Sequence, residues 1–179
     1  MIRKKEIDWF YQGGASYIYP DAWEKYIDPI PENERHDLVS AYYKKLTSDD
    51  NKIRLEAAKA WSNWEASTSK LFPSNALLHQ FNDSKVAEAF ARIECHYFIN
   101  KGFFESDSWI LDNSSVISNI PSVIIQGRYD VVCPPISAWE LHKKLPNSDF
   151  YFIQDAGHSM TEKGIASKLV EYSDKFSVL

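Results

Sequence analysis

Cysteines, long apolar runs and an excess of basic residues are all missing or scarce in this chain, and each shortage excludes a class of protein. The two cysteines, Cys95 and Cys133, lie in no CxxC pair and no metal-site spacing, so we expect neither a metal nor another cofactor. No run approaches the roughly 20 apolar residues of a membrane helix, and no apolar stretch follows the basic N-terminus as in a secretory signal. A reducing, cytoplasmic compartment is therefore expected.

The charge balance argues against nucleic-acid binding, and the composition is that of a globular protein. Lys and Arg number 20 against 25 Asp and Glu, giving a net charge of -5 at pH 7 with the two signs interspersed, so no basic stripe is available for phosphates. Hydrophobic residues make up 44% and aromatic residues 15% of the chain. The aromatic side chains favour core packing, with a ligand-lining role as the alternative.

Helical patterns fill the first part of the chain. Pro31 suits the first position of a helix, and we expect one to begin there. A later helix, over residues 85–98, is expected to bury an apolar stripe formed by Val86, Ala89, Phe90, Ile93 and Tyr97. Because strand patterns begin only afterwards, we predict a helical domain over residues 1–114 and an α/β domain over residues 115–179.

Two short apolar runs in the last part predict a pair of parallel strands. Residues 122–126 and 150–153 have the length of strands and are bounded by glycine, proline and polar turn residues. A helical pattern over 135–145 separates them, and another follows over 164–176. A crossover this short predicts parallel pairing in a βαβ unit.

A carboxylate and an imidazole follow these two strands directly. Asp130 lies in the glycine-containing loop after the first strand and His158 in the loop after the second. Because functional side chains gather at the carboxyl ends of parallel strands, we expect Asp130 to bind Nδ1 of His158 and leave Nε2 as a base. Considered alone, Asp130 is better interpreted as a turn cap and His158 as an ordinary loop residue. Their occurrence together, each in a glycine-containing loop after consecutive strands, favours a catalytic dyad. Cys133 is interpreted as a small packing residue.

Several stretches of the sequence resemble the proline iminopeptidases, serine peptidases of the α/β-hydrolase fold, in which the acid also precedes the histidine. The stretches are QGRYDVVCP at 126–134, AGHS at 156–159, EIDWFYQ at 6–12, WSNWE at 61–65 and ARIECHYF at 91–98. The resemblance covers essentially the whole chain. It implies an α/β fold class, namely the C-terminal part of an α/β-hydrolase fold preceded by a helical cap domain.

The resemblance also implies a function, the release of an N-terminal proline from peptides. It assigns catalytic roles to Asp130 and His158, and it assigns binding of the substrate's free amino terminus to Glu65 and Glu94. Without the resemblance, a solvated or Arg/Lys-paired role would be preferred for both glutamates.

The positions of the two glutamates suit the implied role. Glu65 follows Trp61 by four residues and Glu94 follows Phe90 by four, so both are expected at the edge of an apolar stripe. A carboxylate beside aromatic rings is partly desolvated, and a cation such as a proline amine is then a favoured partner.

Two components of a serine hydrolase are missing from the sequence. No Gly-x-Ser-x-Gly turn is present, and neither is an oxyanion-hole loop of the His-Gly-Gly type. The nearest match, GASYI at 14–18, lacks the final glycine and follows no strand, so Ser16 is rejected. We therefore expect the nucleophile upstream of Met1, with this chain being a fragment, a truncated gene product or one piece of a two-piece protein, inactive alone.

Three functions are weighed. The first is a prolyl aminopeptidase completed by the missing half, and the second a catalytically inactive binding or interaction module of the same origin. The third, a different cap-bearing hydrolase such as an esterase, is disfavoured because an ester needs no paired carboxylates such as Glu65 and Glu94. The expected partners are a peptide with N-terminal proline and either the missing N-terminal half or a second copy, joined through the exposed edge of the strand at Ser122. Neither nucleic acid nor membrane is expected.

Overall fold

The computed structural model describes residues 1–72 and 75–178, except for the side chain of Leu77. The described chain forms two compact units. The α/β unit comprises Met1, Ser69–Phe72 and the described part of Ser108–Leu179. The helical unit comprises Ile2–Thr68 and the described part of Pro73–Asp107. The division into a cap domain over 1–114 and a hydrolase domain over 115–179 stays a prediction.

The helical unit is organised around one long helix, α4. Its helices are α1 (Lys4–Tyr11), α2 (Pro20–Ile27), α3 (Leu38–Leu46), α4 (Asn51–Thr68), α5 (Asn75–Asn82) and α6 (Ser84–Ile99). Helix α4 contacts α2, α3, α5 and α6. The largest fully buried side chains of this unit are mostly aromatic: Phe10, Tyr26, Tyr42, Trp61 and Trp64. Much of the aromatic content therefore serves core packing.

The helix expected at Pro31 begins later. Pro31 precedes only a short 3₁₀ turn, Glu32–Glu34, and α3 starts at Leu38. Asp37 explains the difference, because its carboxylate accepts a hydrogen bond from the Ser40 backbone N–H at 3.1 Å and so caps the helix.

The predicted inward stripe of α6 is wrong. Val86, Ile93 and Tyr97 are 37%, 62% and 46% exposed, whereas the fully buried positions are Ala87, Ala91 and Cys95. These small residues also recur at helical spacing, and they let neighbouring backbone approach closely. The Cys95 thiol, for example, donates to the Val39 carbonyl at 3.6 Å, and the Ser62 hydroxyl donates to the Ala87 carbonyl at 3.2 Å.

The α/β unit contains the predicted strand, helix, strand and helix. Its elements are α7 (Trp109–Asp112), β1 (Ser122–Gly127), α8 (Pro135–Lys144), β2 (Ser148–Ile153) and α9 (Lys163–Phe176). The strands pair in parallel, with Ser122 opposite Ser148 and Gly127 opposite Ile153. Because the strands end level, the loops that follow them leave the sheet side by side. None of the helices in the described residues has the length and apolarity needed to cross a membrane.

Candidate active site

Asp130 and His158 meet where β1 and β2 end. The imidazole Nδ1 of His158 lies 3.1 Å from Oδ2 of Asp130, a hydrogen-bonding distance. The two loops are also joined through their backbones, since the Tyr129 N–H donates to the Ala156 carbonyl at 3.0 Å. The structure therefore brings these two predicted residues together in the predicted pairing.

The Asp130 carboxylate is buried and held by both of its oxygens. The residue is 7% exposed. Its Oδ1 accepts from the Cys133 backbone N–H at 2.8 Å, and its Oδ2 accepts from the Gln126 side-chain amide at 3.0 Å. A carboxylate fixed in this way can hold an imidazole in one orientation and one tautomer.

The His158 side chain is partly exposed, at 37%, and its charge is strongly influenced by its neighbours. Burial disfavours the imidazolium, but the hydrogen bonds and charges of the Asp130 and Cys133 side chains outweigh that effect and raise the pKa of His158 from 6.5 to about 11. The protonated form, which can donate a proton, is therefore favoured in the chain as it stands. Cys133 is exposed beside this imidazole, so its interpretation as a packing residue is wrong.

Two glycines allow the loops to approach this closely. A Cβ atom at Gly127 would lie 1.8 Å from the carbonyl oxygen of Gly157, and one at Gly157 would lie 2.8 Å from the backbone nitrogen of Leu71. Both obstacles are main-chain atoms, which cannot rotate away as a side chain can. Gly127 and Gly157 are thus a steric requirement of the pairing between Asp130 and His158.

Glu65 and Glu94 lie in the helical unit around a stacked pair of aromatic rings. Tyr11 and Trp61 stack with their ring centroids 4.4 Å apart. The Tyr11 hydroxyl donates to Oε1 of Glu65, and the Trp61 indole N–H donates to Oε2 of Glu94 at 2.8 Å. Glu65 is only 4% exposed, so it belongs to the core rather than to the edge of the helix's apolar face.

The charges of Glu65 and Glu94 both affect the Tyr11 phenol, so the electrostatic potential around Tyr11 is negative. Burial raises the pKa of Tyr11 well above 10.0, and the charges of Glu65 and Glu94 raise it further. Burial is also the largest cause that raises the pKa of Tyr26 well above 10.0, followed by Tyr42 and Cys95 and then by Glu65 and Glu94. Carboxylate charges in poorly solvated surroundings attract a nearby cation more strongly than they would in water.

Two further polar groups in this aromatic cluster have unused hydrogen-bonding capacity. Within the part of the chain that the structure describes, the buried Tyr26 hydroxyl and the buried Trp64 indole N–H have no hydrogen-bond partner. Buried polar groups are normally paired, so these two are unusual.

Sequence reasoning missed the residues that hold the predicted ones in place. Gln126 binds the Asp130 carboxylate, Cys133 binds it through its backbone, and Glu162 contacts the histidine loop through the Gly157 N–H at 2.9 Å. These contacts join side chains to backbone groups or to residues nearby in the chain, and they have no characteristic spacing. Residues 1–72 and 75–178 contain no cluster of three His, Cys, Asp or Glu suited to a metal ion.

Known proteins resemble this chain over nearly all of its length. The sequence model of the alpha/beta hydrolase fold family matches residues 11–164. A probable proline iminopeptidase of Leptolyngbya boryana is 59% identical over 176 residues, 98% of this chain and 55% of the relative. The proline iminopeptidase of Arabidopsis thaliana is 54% identical over 180 residues, 100% of this chain and 47% of the relative. That of Xylella fastidiosa strain Temecula1 is 49% identical over 176 residues, 98% of this chain and 56% of the relative.

These matches confirm the resemblance to proline iminopeptidases and the predicted α/β-hydrolase fold. The chain spans about half the length of the curated relatives it matches.

Proposed function

This chain belongs to the α/β-hydrolase fold family, and on that premise we propose that it carries the acid, the histidine and the amine-binding residues of a serine aminopeptidase that releases N-terminal proline from peptides. The observation that carries the proposal is the 3.1 Å contact between His158 Nδ1 and the buried Asp130 carboxylate. The relatives named proline iminopeptidase support the choice of substrate.

In this proposal the nucleophile is a serine of the α/β-hydrolase fold that lies outside these 179 residues. His158 accepts the serine proton through Nε2 while the serine oxygen bonds to the carbonyl carbon of the N-terminal proline. His158 then donates that proton to the departing amine as the C–N bond breaks, and water cleaves the acyl-enzyme by the reverse sequence. Asp130 holds the imidazole through Nδ1 and stabilises the imidazolium that forms.

The high pKa of His158 in this chain has a consequence for that mechanism. A general base must be neutral, and a serine hydroxyl that donates a hydrogen bond to Nε2 stabilises the neutral imidazole. The complete protein, meaning this chain together with the part of the fold that carries the nucleophile, is therefore expected to have a lower His158 pKa than the value of about 11 in this chain.

Glu65 and Glu94 are proposed to bind the protonated amine of the substrate's proline. The support is the negative electrostatic potential around Tyr11, to which both carboxylates contribute. Tyr11 and Trp61 stack on one another, and each donates a hydrogen bond to one of the two carboxylates, which fixes both carboxylates in this cluster. An ester without an amine would gain nothing from two carboxylates.

The outer edge of β1 is proposed to bind a further strand. Among the described residues β1 pairs only with β2, so its other edge has no partner strand there. Such an edge is a template for another strand, from the part of the fold with the nucleophile or from a second copy of this chain. Light scattering on the purified 179-residue chain is expected to detect self-association. If the chain is a monomer at high concentration and unfolds cooperatively, the proposal that the outer edge of β1 is free to bind a further strand is wrong.

A cytoplasmic location is part of the same proposal. Cys95 and Cys133 are both free thiols, as is usual in a reducing compartment. Fractionation of the native source tests the location directly.

The function is tested by measuring hydrolysis of a proline arylamide by the 179-residue chain and by the complete protein. The chain alone is expected to be inactive, because a histidine–carboxylate pair without nucleophile and oxyanion hole retains little catalysis. The complete protein is expected to turn over the substrate and to lose activity with His158→Ala but not with His79→Ala, a control at an exposed histidine. Turnover by the chain alone that His158→Ala abolishes would contradict an external nucleophile. A complete protein that binds prolyl peptides without cleaving them would favour the inactive binding module.

A further inference from the structure

The loop that carries His158 is fastened to the segment Ser69–Phe72 of the same α/β unit. The backbone carbonyl of Ser69 accepts hydrogen bonds from the His158 N–H at 3.1 Å and from the Ser159 N–H at 2.8 Å. Ser69 is also the first residue after α4. The position of the catalytic histidine therefore depends on a stretch of chain nearly ninety residues away in sequence, as well as on β2.

Glu162 adds a second attachment between the same two stretches of chain. Its Oε1 accepts from the Gly157 N–H at 2.9 Å, and its Oε2 accepts from the Leu71 N–H at 3.3 Å. One carboxylate thus joins the residue before His158 to the segment after α4, and each of its oxygens is used. We name this arrangement of Glu162, Gly157 and Leu71 the carboxylate bridge.

Helix capping does not account for the position of the Glu162 side chain. Glu162 occupies the cap position before α9, where an acidic side chain often binds the first N–H groups of its helix, but it makes no such bond here. The side chain instead binds the histidine loop and the Ser69–Phe72 segment. A carboxylate suits two N–H donors because both oxygens accept, whereas an amide offers one acceptor and one donor group.

The carboxylate bridge also fits the tight packing at Gly157. A Cβ atom there would lie 2.8 Å from the Leu71 nitrogen and 3.3 Å from Oε1 of Glu162, so the two backbones are as close as glycine permits. Charge-assisted hydrogen bonds to main-chain N–H groups are stronger than neutral ones, which favours one fixed loop geometry.

We propose that Glu162 is a positioning residue for His158, holding the histidine loop against Ser69–Phe72 so that the imidazole faces Asp130. The inference rests on the proposed function only in giving His158 a catalytic role. The bridge itself is a property of the folded chain and can be measured without activity.

The test uses NMR on the 179-residue chain with Glu162→Gln, Glu162→Asp and Glu171→Gln. Glu162→Gln is expected to speed amide exchange at Leu71, Gly157 and His158 by roughly tenfold, as for the loss of one hydrogen bond. It should also move the His158 titration towards that of an ordinary histidine, because the contact with Asp130 is less populated. Glu171 is the matched control, an exposed glutamate of α9 paired with Lys168 at 2.6 Å, and its substitution should change neither readout.

Glu162→Asp separates the bridge from a general charge effect on α9. Aspartate keeps the negative charge beside the helix but is too short to reach both N–H groups, so it should resemble Glu162→Gln if the bridge matters. If both Glu162 variants leave amide exchange and the His158 titration unchanged, the proposal is overturned. A third outcome is that Glu162→Asp behaves as wild type, whereas Glu162→Gln changes both readouts or fails to fold. The carboxylate would then act through its charge alone, and the proposal would again be wrong.

In the complete protein the same variants are expected to affect kcat and KM differently. Misplacement of the imidazole should lower kcat by up to about 100-fold and leave the KM of a prolyl substrate nearly unchanged, because Glu162 is not an amine-binding residue. If the complete protein is inactive but the Glu162 variants of this chain show the expected changes in amide exchange and in the His158 titration, the peptidase function is refuted and the carboxylate bridge stands. An active one whose kcat is insensitive to Glu162→Gln would refute the positioning role alone.

Discussion

The two candidate sites of this chain hold their carboxylates in different ways. In the α/β unit, Asp130 is surrounded by backbone and amide donors, and the imidazole it binds is partly exposed. In the helical unit, Glu65 is nearly completely buried among aromatic side chains and is bound by a phenol. The first arrangement fixes the orientation of an imidazole, whereas the second creates a negative potential in a desolvated environment.

This difference indicates how each region responds to substitution. The geometry at His158 depends on main-chain approach, so it should be sensitive to added volume and to lost backbone contacts. The environment of Glu65 depends on ring packing and charge, so it should be sensitive to lost hydroxyl and carboxylate groups. The following predictions separate the two dependences.

Gly127→Ala is expected to have the largest effect on folding. The added Cβ would lie 1.8 Å from the Gly157 carbonyl oxygen, and relief requires β1 and the histidine loop to separate. We expect a loss of about 3 kcal/mol in the free energy of unfolding and disappearance of the His158–Asp130 contact by NMR. Gly164→Ala is the comparison and should cost less, because its nearest atom is the Cγ2 methyl of Ile153 at 2.5 Å, which belongs to a side chain and not to the main chain. Equal losses in the two variants would show that close main-chain approach is not the special feature.

Tyr11→Phe is expected to weaken the helical unit by a smaller amount. It removes the hydroxyl that donates to the buried Glu65 carboxylate and keeps the ring that stacks on Trp61. The free energy of unfolding should fall by roughly 1–3 kcal/mol, measured by denaturant titration. Tyr17→Phe, at a 91% exposed tyrosine, should change stability by no more than the experimental error. A neutral Tyr11→Phe would mean that the hydroxyl does not stabilise Glu65.

The two regions should lose stability in different pH ranges. The His158 pKa is raised from 6.5 to about 11, so the folded chain holds a proton that the unfolded chain releases; this stabilisation is complete below about pH 6.5 and is lost as pH rises towards 11. Burial raises the pKa values of Tyr11 and Tyr42 well above 10.0, so their contribution is lost only above about pH 10. Histidine NMR signals and phenolate absorbance, followed against pH together with unfolding, distinguish the two. A tyrosine titration that is normal in the folded chain would contradict the burial of the aromatic cluster.

Cys133→Ala should have the smallest effect, confined to the α/β unit. The thiol helps to raise the His158 pKa, so its removal should lower that pKa while Asp130 still keeps it above 6.5. An NMR titration of His158 measures the change, with Tyr129→Phe as the control in the same exposed loop. An unchanged pKa would leave Asp130 as the only group responsible.

The parts of the fold that were predictable are those with local signals. β1 and β2 are short apolar runs bounded by turn residues, and the rule that parallel strands present their following loops together was enough to pair Asp130 with His158. The α6 stripe was wrong because Ala87 and Ala91 carry little hydrophobic signal, although their small size is what allows close packing. Hydrophobicity alone does not identify a face that is buried for steric reasons.

The supporting residues of the candidate sites could not be predicted for a related reason. Glu162 binds two backbone N–H groups, one of them 91 positions away at Leu71, and such contacts follow from tertiary structure. The resemblance to proline iminopeptidases implied a role for Glu65 and Glu94. The deep burial of Glu65 and its hydrogen bond from the Tyr11 phenol could be seen only in the folded structure.

The proposed roles of the two regions, proton transfer in the α/β unit and amine binding in the helical unit, are tested most directly by one kinetic comparison in the complete protein. The second-order rate constant kcat/KM is measured for Glu65→Gln and His158→Ala, each with a substrate bearing N-terminal proline and with an ester that lacks the amine. Glu65→Gln should cost about 2–4 kcal/mol with the prolyl substrate, as for loss of the partner of a buried charge, and much less with the ester. His158→Ala should lose activity on both. Equal losses on the two substrates for Glu65→Gln would contradict the account, because Glu65 would then be structural and the helical unit would have no role in recognising the amine.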